Sequence, residues 1–325
     1  MTGGEFSLIE RYFRGPGQAN SSAPGIHLGI GDDAAVSQLP GQQLLVQTID
    51  TLIAGRHFPR SATARDIAYK ALSVNVSDLV AMGAQPWTFL LALTLPDEDE
   101  EFLQGFSDGL FEAAEDYSIE LVGGDTCRGA LSITIQANGL VPESAYLRRS
   151  GARPGDQVVV SGPIGLAALG LAVEQDGLEL DPALAQRCLR ALHRPRARTD
   201  LIQILRNHAT AAIDVSDGLL ADLGHILKSS GVGASIDLAA LGLDAWFTRH
   251  AAETLALTGG DDYQVVFTVA RHDMPALQVD LTRLGLDLRV IGQIVDHGFE
   301  LRTADRMVDL LTDNVLSGGF DHFAA

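Results

Sequence analysis

Six times along this chain an apolar run meets aspartate beside glycine, serine or threonine. The segments are GIGDDAAV (29–36), VQTIDTL (46–52), VNVSDLVAMGA (74–84), ELVGGDTCRG (120–129), AIDVSDGLLADLGH (212–225) and LTGGDDYQVVF (257–267). Adjacent carboxylates repel, and an unpaired buried charge is costly, so each must be capped into a turn, left in water or given a counter-charge. Taken singly, each is more often a turn or a helix cap; Asp217, for instance, suits the start of a helix. Six together point instead to a shared cation.

The segment 63–82 gives the sharpest local argument. At about 100° per residue, Asp66, Lys70, Ser73 and Ser77 fall on one polar stripe, which is expected to face solvent. Asn75 lies nearly opposite. Asp78, three residues on, joins it among Ala68, Ala71, Leu72 and Leu79. A carboxylate and an amide on the buried side need partners, and no basic residue lies one turn away. One reading is a hydrogen-bonded core pair; the favoured one makes Asp78 a metal ligand. Oxygen donors without His or Cys clustering suit Mg²⁺ rather than Zn²⁺, and Mg²⁺ shares itself with phosphates.

Bulk properties narrow the partners. A chain of 325 residues has room for two domains, and 46% hydrophobic with 20% charged residues describes a globular protein. A formal net charge of −19 disfavours nucleic acid and anionic membrane surfaces, and a phosphate ligand then requires cations at its site. No signal peptide is recognised, and the most apolar window, 162–173, is too short to span a bilayer. Cys127 and Cys188 lack metal-ligand spacing and read as free thiols, so a cytoplasmic location is expected. The chain has no P-loop, no dinucleotide fingerprint and no nucleophile elbow, and its two lysines, Lys70 and Lys228, lie outside glycine-rich loops.

Strands are expected at 41–49, 89–95, 119–122, 131–141, 211–214, 234–238, 263–269 and 288–295. Helices are expected at 61–84, from Asp97 to about Tyr117, near 163–174 and 181–192, and from Asp217 to Ser230, with a short docked helix around Leu8, Ile9, Tyr12 and Phe13. The class is α/β (α+β), with a domain boundary in the Gly/Pro-containing basic stretch LRRSGARPGD (147–156).

Read together, GEFSLIERYF, GIGDDAAV, DTLIAGRHF, AYKALSVNVSDLVAMGAQP, GGDTCRG, RRSGARPGD, DVSDGLLADLGHI, TGGDDYQVVFT and GFDHF occur in an order that resembles thiamine-monophosphate kinase. That family belongs to the superfamily of aminoimidazole ribonucleotide synthetase, selenophosphate synthetase and the hydrogenase maturation protein HypE. The resemblance implies a two-domain PurM-like fold. Residues 1–150 form an ATP- and Mg²⁺-binding, dimerising domain, and residues 151–325 form a domain completing the active site. It implies a homodimer that transfers the γ-phosphoryl group of the co-substrate ATP to thiamine monophosphate with several Mg²⁺ ions. Asp33, Thr48, Asp50, Asp78, Asp125, Asp214 and Asp217 would be the metal ligands, and Asp32 would cap its turn. Gly124, Asp125, Arg149 and Ser216 match nucleotide-contacting positions, and His57, Asp261 and Phe320 match the thiamine side.

The acceptor is itself a phosphate, so no catalytic group separate from the metal ligands and no phosphorylated protein intermediate is expected. The chain departs from the family where Asp261 replaces a glutamate, Phe320 a tyrosine or tryptophan, and Ile49 a threonine. The rival readings are a superfamily member with another acceptor, or a non-catalytic binder of thiamine phosphates or Mg²⁺-nucleotide.

Overall fold

The computed structural model describes residues 8–14, 24–30, 34–302 and 307–309. Two compact units divide the chain: Met1–Leu79 with Ala84–Ala145, and Val80–Gly83 with Tyr146–Ala325.

In the first unit a helical turn, Ile9–Phe13, buries Tyr12 and Phe13. A small ladder of β1 (Ile26–Leu28) and β2 (Val36–Ser37) follows. Next come β3 (Gln43–Ile53), α1 (Ala64–Ala81), β4 (Gln85–Leu95), α2 (Glu100–Tyr117), β5 (Glu120–Arg128) and β6 (Ser132–Pro142). The sheet order is β3-β6-β4-β5, antiparallel except for the parallel β4–β5 pair. Because side chains alternate along a strand, Leu52, Phe89, Leu91, Leu93, Ile133 and Ile135 share one buried face. The opposite face exposes Leu45, Ile49, Ile53 and Leu90. Helix α2 starts two residues beyond the expected Asp97, at Asp99, whose side chain accepts the N–H groups of Glu101 and Phe102.

The expected solvent stripe of α1 is a correction. Lys70, Ser73 and Ser77 are all at most 2% exposed. Ser73 Oγ donates to Tyr69 O and lies 2.8 Å from Tyr117 Oη, and Tyr69 Oη donates to Asp116 at 2.9 Å. At Ser73 the stripe therefore meets Tyr117 of α2 rather than water, while Asp66 at its start stays part-exposed. A helical wheel separates polar from apolar faces but cannot tell a polar face that meets solvent from one that meets a polar neighbour.

The second unit contains β7 (Gln157–Val160), α3 (Leu166–Asp176), α4 (Pro182–His193), α5 (Ile202–His208), β8 (Ala209–Val215), α6 (Leu219–Ser230) and β9 (Gly233–Asp237). It continues with α7 (Ala245–Arg249), α8 (Glu253–Thr258), β10 (Gln264–Val269), α9 (Met274–Leu284), β11 (Arg289–Val295), β12 (Phe299–Arg302) and β13 (Met307–Asp309). The sheet order is β13-β12-β9-β11-β7-β10-β8, antiparallel apart from β12–β9. Val158, Val160, Ile213, Val215 and Val266 from its strands pack with Leu219, Leu223 and Ile226 of α6. Helices α5, α7 and α8 have seven, five and six residues, too short to leave a periodic signal in sequence.

Cys127 is exposed and Cys188 buried, and both are free thiols. Among the described residues no helix is long and apolar enough to cross a membrane.

Candidate functional site

Strand β3 and helix α1 bring three expected ligands together. Thr48 and Asp50 point to the same side of β3 as the buried Leu52, and Thr48 Oγ1 donates to Asp78 Oδ2 at 2.5 Å. Asp50 is half-buried; burial, and secondarily the charge of Asp78, pushes its carboxyl up to about 6. A carboxylate whose ionisation is disfavoured by burial and by its neighbour's charge, beside a second carboxylate that accepts from a hydroxyl, makes a set of hard oxygen donors. They fit Mg²⁺, which keeps several waters and completes its shell with phosphate oxygens. Among the described residues no three His, Cys, Asp or Glu side chains converge as a self-sufficient metal cage.

Asp125 lies elsewhere on the sheet. By register it aligns with Ala92, Thr134 and Thr51, one row beyond the Asp50–Ile135–Leu91–Gly124 row. Gly124 and Asp125 border a cavity of about 1070 Å³ with Leu90, Ala92, Gln136 and Arg14. Gly29, Ile30, Ala34 and Ala35 line the same cavity; these flank Asp32 and Asp33, which fall outside the described residues. The glycine at 124 is required by contact: a Cβ there would stand 1.9 Å from Leu91 O on the neighbouring strand.

His57 sits in the turn after β3. Its Nδ1 accepts the Ile53 N–H at 2.9 Å, so in the neutral ring the proton is assigned to Nε2. Phe320 falls outside the described residues.

In the second unit the expected residues gather on two loops joined through their backbones. Asp214 is the penultimate residue of β8, buried, and Ser216 and Asp217 lie just beyond the strand, half-buried. Asp261 N donates to Ser216 O at 2.9 Å and Tyr263 N to Val215 O at 2.8 Å. Asp261 and Tyr263 adopt left-handed φ angles of 68° and 48°, a conformation that costs about 1 kcal/mol or more per non-glycine residue and persists only where neighbours enforce it. Arg149 is exposed, and its carbonyl accepts from Ser230 Oγ at 3.4 Å.

Two buried acids went unread in the sequence, although both stand inside the aspartate-rich segments. Asp222 Oδ2 accepts the N–H groups of Ser216, Asp217 and Gly218 at 3.0, 3.0 and 3.2 Å. Asp262 accepts those of Gly165 at 2.7 Å and Ala167 at 3.5 Å, at the head of α3. Burial pushes both carboxyls up to about 7, with the charges of Asp217 and Asp261 adding respectively, against the lowering effect of those amides. For Asp222 the signal is spacing, since an aspartate at the fourth helical position reaches back to the helix's free N–H groups; Asp262 lies in a loop and meets the head of α3 across 97 positions, which leaves no local signal.

Known proteins are similar to this chain in sequence and in fold. Residues 31–141 match the family model described as AIR synthase related protein, N-terminal domain, and residues 153–303 its C-terminal domain. The thiamine-monophosphate kinase of Escherichia coli (strain K12) is 48% identical over 299 residues, covering 90% of this chain and 91% of that protein. That of Salmonella typhimurium is 44% identical over 329 residues, covering 100% and 99%. The crystal structure of thiamine-monophosphate kinase from Stenotrophomonas maltophilia K279a superposes with a TM-score of 0.80 at 43% identity, covering 86% of this chain and 92% of that one. A structure described as AaThiL complexed with AMPPCP and TMP gives 0.74 at 30% identity, covering 98% and 97%.

Proposed function

The chain belongs to the AIR synthase related family and, within it, to the thiamine-monophosphate kinases, and from that premise we propose how its own residues serve the reaction. It is an ATP-dependent kinase that phosphorylates thiamine monophosphate to thiamine diphosphate. The transfer is direct: an oxygen of the acceptor phosphate bonds to the γ-phosphorus as the bond to the bridging oxygen of ADP breaks. The acceptor oxygen is already anionic, so no general base is needed. What remains is to hold two anions in line against their repulsion.

The observation that carries the assignment to this site is the Thr48–Asp50–Asp78 group, where Thr48 donates to Asp78 and burial beside the charge of Asp78 raises the Asp50 carboxyl to about 6. These residues, with Asp33, Asp125, Asp214 and Asp217, would hold Mg²⁺. Bound there, Mg²⁺ supplies charge neutralisation and a template for the phosphates. Gly124, Asp125, Arg149 and Ser216 are the proposed nucleotide contacts. His57, Asp261 and Phe320 are the proposed contacts on the thiamine side, where an aromatic ring can stack on the heteroaromatic cation and an acid can pair with its charge.

Residues 1–150 and 151–325 are the proposed domains, the first of which dimerises. Support for pairing comes from the outer sheet face, where Ile49 is 63% and Ile53 48% exposed, since an apolar sheet face is commonly covered by another chain. The two unpaired cysteines support a cytoplasmic setting.

The deciding experiment supplies ATP and Mg²⁺ with and without thiamine monophosphate, measuring ADP by coupled assay and thiamine diphosphate by chromatography. Equal, Mg²⁺-dependent yields of both products are expected, with no ³²P retained on the denatured protein. ADP release that ignores thiamine monophosphate would sink the reading.

A further inference from the structure

Resting on that functional reading, we infer that Asp222 is a positioning residue for the reaction: its buried carboxylate shapes the 216–218 loop so that Ser216 and Asp217 meet the Mg²⁺-nucleotide. Asp222 lies in the first turn of α6 and is 2% exposed. A single oxygen, Oδ2, takes the three consecutive N–H groups of Ser216, Asp217 and Gly218. Three amides converging at the start of a helix would otherwise form an anion-binding nest. Here the chain fills the nest with its own carboxylate. The amides are therefore withheld from phosphate, and the loop meets its ligand with side chains.

The loop has little freedom to take another shape. Gly218 has a φ of 121°, and a Cβ at that position would stand 2.7 Å from Thr258 O. On the other flank, a Cβ at Gly260 would stand 2.3 Å from Ser216 O. The same Ser216 carbonyl accepts the N–H of Asp261, whose left-handed conformation depends on that neighbour. Loosening the amides from Asp222 thus frees the loop that carries Ser216 and Asp217, and through one hydrogen bond the backbone of Asp261 on the thiamine side. The effect reaches the ligands through the loop, because Asp222 itself is enclosed.

The test compares the full chain with Asp222→Ala, which removes the acceptor, and Asp222→Asn, which keeps one acceptor oxygen at the same reach. Circular dichroism and thermal melting establish folding. Calorimetry then measures Mg²⁺-dependent binding of a non-hydrolysable ATP analogue, and steady-state assays give kcat, KM for thiamine monophosphate and the half-saturating Mg²⁺ concentration. Folded Asp222→Ala should weaken analogue binding and raise the Mg²⁺ requirement by about tenfold or more, the range seen when a group supporting a metal ligand is removed. Asp222→Asn should stay within about threefold of the parent in both, since the acceptor is retained.

Smaller shifts in folded Asp222→Ala, or an Asn variant as impaired as the Ala variant, would overturn the proposal. If Asp222→Ala does not fold, Asp222→Ser replaces it, its hydroxyl being too short to span three amides. Failure of both to fold makes the carboxylate a folding determinant and overturns the positioning role. A parent chain that binds the analogue without converting thiamine monophosphate refutes the functional reading alone, because the binding arm still decides the role of Asp222.

Discussion

Replacing Gly124 by alanine should separate a steric demand of the sheet from a general tolerance for small side chains at the same cavity. The added Cβ would lie 1.9 Å from Leu91 O, 2.9 Å from Leu91 C and 3.1 Å from Leu91 N, all backbone atoms of the paired strand β4. No rotamer relieves a backbone collision, so β5 must move by about 1 Å or more to restore ordinary contact. Overpacking of that kind costs about 1–3 kcal/mol. Stretching an adjacent ladder bond adds about 1 kcal/mol, so a loss of about 3 kcal/mol is expected. In a domain of roughly 150 residues that lowers Tm by about 6–12 °C.

Gly29 borders the same cavity, but its added Cβ would find its nearest neighbour at 4.0 Å. Gly29→Ala should therefore stay within about 0.5 kcal/mol of the parent. Differential scanning calorimetry of the two variants, with KM for ATP measured on each, makes the comparison. The displaced Asp125 should raise that KM more in the Gly124 variant than in the Gly29 variant. Equal melting temperatures for the two would refute the argument that the β4–β5 approach requires glycine.

Asp78→Asn should retain the fold, since the amide oxygen still accepts from Thr48. Turnover should fall by about a hundredfold or more with the loss of a metal-binding charge; near-parent activity in a folded variant would contradict its assignment. Asp262, with its carboxyl pushed up to about 7 from 3.8, binds its proton more tightly folded than unfolded. Its contribution to stability is therefore present below about pH 4, is lost as pH rises towards 7 and stays lost above. Between pH 5 and 8 that loss is on the order of 2 kcal/mol. Urea titrations at those two pH values should show a shallower decline in Asp262→Asn, and parallel declines would refute the coupling. Burial pushes the Cys188 thiol up to about 11 while Cys127 is exposed. A thiol reagent at pH 8 should accordingly label one cysteine in the native protein and both in urea, and rapid native labelling of two would place Cys188 wrongly.

Periodicity and punctuation alone located most of the scaffold. The apolar runs of β3 and β6 and the helical periodicity of α1 are local features, enforced by backbone geometry wherever they occur, whereas the cap of α2 lies at Asp99 and not at the expected Asp97. The aspartates likewise announced themselves by standing beside small residues, and Asp78 was distinguishable because it shares a helix face with leucine and alanine. Their convergence was not legible. That Thr48 reaches Asp78 across 30 positions depends on α1 lying over β3.

The fate of polar groups also depends on what packs against them. Lys70, Ser73 and Ser77 look like a solvent face until the fold buries them, and Asp222 and Asp262 look like two more surface acids until their loops bury them. Sequence determined which residues are polar, where the longer elements run, and, through an ordered set of motifs, which family the chain belongs to. Tertiary structure decided which of those polar groups lose water, and therefore which carboxylates resist ionisation, because desolvation is set by neighbours that are distant along the chain.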